Sequence, residues 1–265
     1  MGGGPSGATE VVVAASQDEA IAAFGDGADV TVVAGGTIVM PEITYGTRSL
    51  GRVVLIGNAG LSGIRSEGGR IVIGAGTTLA ELEDAVEPLG TCARRVADPE
   101  IREQATIGGN LCAPPGVESP RGDLQAALLV LDAQVRSTGA DGERTDPVED
   151  VLASTRPRLV LEISVAEPDA AATATVRRPH AHAYTVMRVC AARVGGEVRL
   201  AVSGAAPHAV RLTAAEAAVA GGADPAAAGE KALEDVTPQD DALASGWYRA
   251  KVLPVLVRDA LTQLG

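Results

Sequence analysis

The stretch "ADPEIREQATIGGNLCAP", residues 97–114, carries two adjacent glycines, Gly108 and Gly109, between an apolar lead-in and a polar residue. The stretch "VVAGGTIVMP", residues 32–41, repeats this pattern with a glycine pair at 35–36. Glycine lets the backbone approach a ligand closely and adopt positive φ angles. Successive N–H groups in such a loop can also hold an anion. Together the loops suggest a binding site for the two phosphates of one pyrophosphate, although either loop alone is more typical of a tight turn.

A third glycine-rich stretch, "GAGTTLAEL" at residues 74–82, follows a predicted strand. It resembles a dinucleotide-binding fingerprint, but a leucine stands where the third glycine belongs, so it does not support nicotinamide binding. We interpret it as a turn that leads into a helix over residues 77–90, capped by Thr78 and Glu81 and closed by Gly90.

The three cysteines, Cys92, Cys112 and Cys190, are odd in number and widely spaced, which argues against a disulfide framework. Zinc and iron–sulfur sites use clustered ligands such as C-x-x-C, and none is present. We therefore interpret all three cysteines as small buried hydrophobic residues. The sequence predicts neither a metal site nor a catalytic triad.

Composition and charge exclude several classes of function. The chain has 265 residues, a formal net charge of -12 and 46% hydrophobic residues. This acidic balance argues against a nucleic-acid partner, whose phosphates require clustered lysine and arginine. No apolar run approaches the roughly 18 residues of a membrane span. Residues 1–9 are rich in glycine, proline and serine and are expected to be a flexible tail, and a cytoplasmic location is expected.

Hydrophobic periodicity predicts an α+β fold. A composition shift at residues 168–179, rich in alanine, threonine and proline, is expected to link two domains. Proline at 254 is expected to kink or interrupt the last helix. The predicted strands are 10–13, 29–36, 53–57, 70–76 and 158–168, with a Gly-Gly hairpin within 183–205, and the predicted helices begin at Ser16, at 124, at 211 and at 246.

Two polar features leave alternatives open. In "RRPHAHAY", residues 177–184, His180 and His182 alternate and would share one face of a strand. They could ligate a metal or lie against a flavin ring, and a polar hairpin or linker is an equal alternative. Asp123 precedes a helical run and suits either a helix N-cap or a hydrogen bond to a ribose hydroxyl.

Five stretches together resemble the FAD-binding medium subunit of the molybdenum hydroxylases, the group that includes carbon monoxide and xanthine dehydrogenases. They are "VVAGGTIVMP", "IVIGAGTTLAELED" and residues 94–135, then residues 188–212 and 240–261. The resemblance implies a two-lobed FAD-binding domain of the PCMH type over 10–167, with lobes of about 10–50 and 51–167. A smaller α+β C-terminal domain, a three-stranded sheet with helices, would follow over 178–265.

The resemblance also implies site residues for FAD. It places the pyrophosphate in two loops, the adenosine end at Asp123, and the flavin beside Val96 and Ile101. Leu159 would lie in a strand whose backbone approaches the cofactor, and His182 would lie against the isoalloxazine. The loop residues are Ala34, Gly35, Gly36, Thr37, Ile38 and Val39 in the first loop, and Thr106, Gly108, Gly109 and Asn110 in the second.

The function implied by the resemblance is electron transfer. Electrons from a molybdopterin-containing large subunit would pass through the 2Fe-2S clusters of a small subunit to FAD here, and then to NAD, oxygen or a quinone. The partners would form a heterotrimer, alone or dimerised. Two alternatives stay open: a stand-alone FAD-dependent oxidoreductase with His180, His182 or Tyr184 as substrate base, and a non-catalytic subunit that has lost FAD.

Overall fold

Three β-sheets organise the chain in the computed structural model, which describes residues 10–48, 50–114, 122–177 and 185–265. The first two sheets belong to the N-terminal part, and the third belongs to the C-terminal part. This arrangement confirms the predicted α+β fold. The predicted tail at residues 1–9 lies outside the described residues.

The first lobe is a parallel three-stranded sheet in the order β1–β3–β2. Its helix α1 begins after Ser16, whose hydroxyl accepts a hydrogen bond from the N–H of Glu19 at 3.2 Å, as the sequence predicted. Strand β3 pairs with both β1 and β2, so the first lobe extends beyond residue 50, where the sequence placed the boundary. The elements are β1 Glu10–Val13, α1 Gln17–Phe24, β2 Val30–Val33, α2 Val39–Thr44 and β3 Arg52–Leu55.

The second lobe is an antiparallel five-stranded sheet in the order β4–β5–β8–β6–β7. Strand β8 lies at its centre, and five of its eight residues are buried, all of them apolar. The elements are β4 Ile64–Glu67, β5 Arg70–Gly74, α3 Leu89–Ala93, α4 Pro99–Arg102, α5 Ile107–Leu111, α6 Gln125–Val130, β6 Gln134–Gly139, β7 Gly142–Pro147, α7 Val148–Ala153 and β8 Leu159–Ala166.

The prediction of a helix over residues 77–90 is wrong. The capping contacts do form, with Glu81 accepting from the Thr78 N–H at 2.8 Å, but only turns follow. The N–H of Leu79 donates instead to the carbonyl of Ala105 at 2.8 Å, and neighbouring turns hold the rest of the segment. Within the segment the backbone bonds run mainly from residue i to residue i−3, as from Glu83 to Ala80 and from Ala85 to Leu82, so the chain forms successive turns here and not an α-helix.

The C-terminal part contains the three long strands that were predicted and a two-residue fourth strand, in the order β12–β11–β10–β9. Residues 168–179 were predicted to be a linker, but residues 170–177 form β9. The C-terminal sheet therefore begins before residue 178, where the sequence placed the start of this domain. The last helix runs through Pro254 without interruption. The elements are β9 Ala170–Arg177, β10 Thr185–Val194, β11 Glu197–Ser203, β12 Val210–Arg211, α8 Thr213–Ala220, α9 Pro225–Lys231 and α10 Gly246–Leu264.

One hydrophobic core joins the second lobe to the C-terminal sheet. All six residues of α6 are buried, and the same core takes in Cys190 and Ala192 of β10 and Ala201 of β11. A helix that is apolar on every side must be covered on every side. Within the described ranges, no helix is long and apolar enough to cross a membrane.

Candidate functional site

The two glycine-pair loops lie against each other. A Cβ atom at Gly35 would stand 1.7 Å from the carbonyl oxygen of Gln104, in the segment that leads into the second loop. Only glycine permits so close a backbone approach. The structure therefore brings together two loops that the sequence could identify only as alike.

The first loop presents a run of unpaired backbone donors. Among the described residues, the N–H groups of the five successive residues 35–39 have no hydrogen-bond partner. Gly36 has a φ of +70°, which turns the chain here at little steric cost. Consecutive free N–H groups at such a turn can hold an anion, as the sequence suggested for this loop.

The second loop is held differently. Thr106 caps α5, and its hydroxyl accepts from the Gly109 N–H at 3.1 Å. The N–H groups of Ile107 and Gly108 donate to the carbonyls of Thr77 and Ala75, in the turn after β5. The N–H groups of this loop are thus hydrogen-bonded within the protein. The sequence had suggested instead that they hold an anion.

The two glycines of the second loop have separate roles in the packing. A Cβ at Gly108 would stand 2.9 Å from both the Cβ and the carbonyl oxygen of Ala75, so Gly108 is needed for the loop to sit on the β5 turn. A Cβ at Gly109 would meet only the Thr106 hydroxyl, at 3.0 Å. Gly109 therefore leaves an open approach to the backbone from the cavity beside it.

A cavity of about 200 Å³ lies where the two loops meet β8. It collects residues that are far apart in the sequence, and Leu159 of β8 forms part of its wall. The predicted site residues that line it are Ala34, Ile38, Val39, Gly108, Gly109 and Leu159. A second cavity, of about 290 Å³, shares five lining residues with the first: Cys112, Ala113, Pro114, Arg158 and Val160.

Several predicted site residues lie elsewhere. Val96 packs on the main core and Ile101 is a partly exposed residue of α4, and neither lies on the described wall of the first cavity. Thr106 and Asn110 act within the second loop, where the Asn110 side chain accepts from the Leu124 N–H at 2.9 Å. His182, with His180 and Tyr184, lies outside the described residues.

Asp123 is half-buried beside a buried arginine, Arg188 of β10. Burial raises the pKa of the Asp123 carboxyl, and the positive charges of Arg188 and Arg177 oppose that rise. The Asp123 carboxylate makes no hydrogen bond or ion pair to another described residue. The ribose interpretation of Asp123 stays a prediction.

Three cavity residues were missed by sequence reasoning. Arg48 and Arg158 are the only cationic residues among the described residues of the cavity wall. Both already form ion pairs, Arg48 with Glu42 and Arg158 with Asp141. Cys112 was interpreted as a buried hydrophobic residue, but it is exposed and lines the cavity. Isolated arginines in an acidic chain carry no motif, so no sequence signal identified them.

Two family models match the chain. The family described as "FAD binding domain in molybdopterin dehydrogenase" matches residues 7–165. The chain is an FAD-binding medium subunit of the molybdenum hydroxylase family. FAD is the cofactor of this family, and the chain is an oxidoreductase subunit. A second family, "CO dehydrogenase flavoprotein C-terminal domain", matches residues 170–264, which begins with β9.

Named relatives of this medium subunit span most of its length. The 6-hydroxypseudooxynicotine dehydrogenase complex subunit alpha of Paenarthrobacter nicotinovorans is 28% identical, covering 96% of this chain and 93% of that protein. The carbon monoxide dehydrogenase medium chain of Hydrogenophaga pseudoflava is 30% identical, covering 57% and 54%. A solved structure of carbon monoxide dehydrogenase from Hydrogenophaga pseudoflava aligns with a TM-score of 0.82 and 25% identity, covering 97% and 96%.

Proposed function

We propose that this medium subunit is the electron-transfer flavoprotein of a three-part molybdenum hydroxylase. Electrons released at a molybdopterin-containing large subunit would arrive through the 2Fe-2S clusters of a small subunit. They would leave to an acceptor such as NAD, oxygen or a quinone. Within the described residues, no group of three or more histidine, cysteine or acidic side chains could hold a metal. We assign the metal centres to the partner subunits.

The observation that carries the proposal is the run of N–H groups at residues 35–39 without a partner among the described residues, of which Ile38 and Val39 line the same cavity as the open backbone at Gly109. A pyrophosphate carries two negative charges and needs donors in a confined space, and backbone amides supply them without a competing counter-ion. We assign the first loop to hydrogen bonding and the second loop to close approach. Asp123, whose carboxylate has no partner on another described residue, suits a sugar hydroxyl.

The protein's contribution is positioning and electrostatics, since FAD supplies the redox chemistry when it is bound. Arg48 and Arg158 place guanidinium donors on the cavity wall, each already paired with a carboxylate, in a chain whose net charge is -12. Arg158 is fixed by bonds to the Ser137 hydroxyl at 2.7 Å and the Gly142 carbonyl at 2.8 Å, so its charge is held in place. No general acid or base is required of this chain for electron transfer.

Purification of the native complex tests the proposal. We expect the medium subunit to co-purify with one chain that contains 2Fe-2S clusters and another that contains molybdopterin, and to carry flavin absorbance that substrate bleaches. Isolated protein that turns over a small substrate without partners would support the stand-alone oxidoreductase instead. A colourless chain that takes up no FAD on reconstitution would favour a subunit that has lost its flavin.

A further inference from the structure

Two buried cysteines from different parts of the fold are in contact. The Sγ atoms of Cys92 in α3 and Cys190 in β10 lie 3.7 Å apart, and both side chains are fully buried. The residues are separated by 98 positions in the chain. Cys92 belongs to the FAD-binding part and Cys190 to the C-terminal sheet, so this contact crosses the junction between them.

A buried cation stands beside this pair. Arg188 precedes Cys190 by two residues, so both side chains lie on one face of β10. Its guanidinium is fully buried, and its described hydrogen bonds go to the hydroxyls of Thr175 and Thr185 and to the Asp123 carbonyl, all uncharged acceptors. A buried charge needs counter-charges nearby; the Asp123 carboxylate is one, and a Cys92 thiolate would be another.

The two thiols are unequal in acidity. The hydrogen bond from Cys190 lowers the pKa of Cys92 to about 7, helped by the positive charge of Arg188 and opposed by burial. The same hydrogen bond, together with burial, raises the pKa of Cys190. A thiolate next to a thiol is the arrangement from which a disulfide forms most readily, because the thiolate is the nucleophile.

We propose that Cys92 and Cys190 are a site of reversible disulfide formation that ties the FAD-binding part to the C-terminal sheet when the protein meets hydrogen peroxide. The sulfur atoms need to approach by roughly 1.7 Å to reach disulfide bond length. We expect rotation of the two side chains to supply this approach. The exposed Cys112 lies outside this pair.

The chemistry balances in two steps. The Cys92 thiolate attacks one oxygen of the peroxide, the O–O bond breaks, and Cys92 becomes a sulfenic acid while hydroxide leaves and takes a proton from solvent. The Cys190 thiol then attacks that sulfur, the S–S bond forms, and the S–O bond breaks. The departing oxygen takes the Cys190 proton and leaves as water. The cysteine pair loses two electrons, and the peroxide is reduced to two waters.

Peptide mapping of the full-length protein tests the proposal. The Cys112→Ser variant is treated with hydrogen peroxide, unfolded in an alkylating agent and digested without reductant. We expect one cross-linked peptide pair that contains Cys92 and Cys190 and disappears after treatment with dithiothreitol. Recovery of both cysteines as alkylated thiols, or of Cys92 as a sulfinic acid without the cross-link, would overturn the proposal.

Two further measurements use matched forms of the protein. In Cys190→Ser, the first step should proceed without the second, so a dimedone adduct should collect at Cys92; an unmodified Cys92 there counts against the mechanism. In the Cys112→Ser protein, oxidation should raise the thermal midpoint by about 5–10 °C, since the bond closes a long loop. An unchanged thermal midpoint in a protein that carries the cross-link would contradict a stabilising link between the FAD-binding part and the C-terminal sheet.

Discussion

At the residue scale, the four glycines of the two loops meet different demands. Gly35 and Gly108 are required by backbone packing, since an added Cβ would collide with Gln104 and Ala75 respectively. Gly36 is required by its positive φ. Gly109 has neither constraint, apart from the nearby Thr106 hydroxyl. Its lack of a side chain is what we expect if the cofactor approaches from the cavity, as proposed above.

Substitution of Gly109 by valine separates cofactor binding from folding. The branched side chain would project toward the cavity, so we expect FAD affinity to fall about tenfold or more while the circular dichroism spectrum and thermal midpoint stay near those of the wild type. Flavin absorbance per chain measures FAD binding, and thermal unfolding measures the stability of the fold. Gly57→Val is the matched control, because a Cβ at Gly57 meets nothing within 4 Å and φ is ordinary there. Normal FAD binding by Gly109→Val would show that the loop assignment is wrong.

An ion pair near the start of α10 predicts a pH-dependent stability. Arg249 is 1% exposed and donates to the Asp241 carboxylate at 2.7 Å. Burial raises the pKa of Asp241, but Arg249 and the N–H groups of Leu243 and Ala244 lower it by more, so the net pKa lies below the ordinary 3.8. The pair therefore stabilises the fold above pH 4, and this stability is lost as the pH falls through the lowered pKa.

We expect Asp241→Asn to lower the free energy of unfolding by about 3 kcal/mol at pH 7, because Arg249 is left buried without a counter-charge. The difference from the wild type should shrink at a pH below the folded pKa, where the wild-type carboxyl is protonated too. Urea unfolding at pH 7 and at acid pH measures both values. Glu230→Gln serves as control, since Glu230 is exposed and has no described partner. A difference that is independent of pH would contradict the ion-pair explanation.

At the element scale, backbone contacts between elements decide where helices lie. In the second lobe, the Leu79 N–H bonds to Ala105, and the predicted helix gives way to turns that support α5. In the C-terminal part, α9 packs against α10 at Gly229, where an added Cβ would stand 2.4 Å from the carbonyl oxygen of Pro254. The absence of one side chain sets the distance between these two helices.

Gly229→Ala tests this helix contact. Alanine favours a helix more than glycine does, yet we expect the free energy of unfolding to fall by about 1–3 kcal/mol, because α10 must shift away from α9. Denaturant unfolding measures this change. Gly221→Ala, where the nearest atoms to a Cβ lie at 3.4 Å, should leave stability within about 0.5 kcal/mol of the wild type. Equal effects of the two substitutions would refute the packing argument.

At the scale of the whole molecule, the buried helix α6 holds the FAD-binding part and the C-terminal sheet together. Its first residue, Gln125, is 1% exposed and makes two hydrogen bonds, one within the FAD-binding part and one across this junction. The side-chain amide donates to the Leu111 carbonyl at 3.0 Å, and its oxygen accepts from the Ala209 N–H at 3.1 Å. The end of the second loop is thereby linked to the C-terminal part.

Gln125→Leu removes both bonds at nearly constant volume. We expect the free energy of unfolding to fall by about 2–4 kcal/mol, since a buried N–H and a buried carbonyl are left without partners. FAD should also be released at a lower denaturant concentration than global unfolding requires, because α5 loses its link at Leu111. Flavin and peptide signals recorded in one titration compare the two transitions. Gln263→Leu, at an exposed site on α10, is the control, and coincident transitions would show that the junction does not support the site.

Sequence reasoning captured the repeated loops and most strands because these depend on local signals. Glycine pairs after β-branched runs are visible without any long-range contact, and most of the strands formed as predicted. Reasoning from local signals failed at residues 77–90 and at 168–179, where bonds to distant segments decide the structure. Alanine and threonine alternate in β9, and their composition alone is equally typical of a linker.

The sequence by itself determined the α+β class, the family and the pair of loops, because motif spacing and glycine placement are written in the chain. Only the tertiary structure decided that the first loop keeps its N–H groups free while the second uses them on the β5 turn. Only packing placed Arg48 and Arg158 on the cavity wall and brought Cys92 next to Cys190. These are contacts between residues distant in sequence, and their geometry depends on how the three sheets pack together.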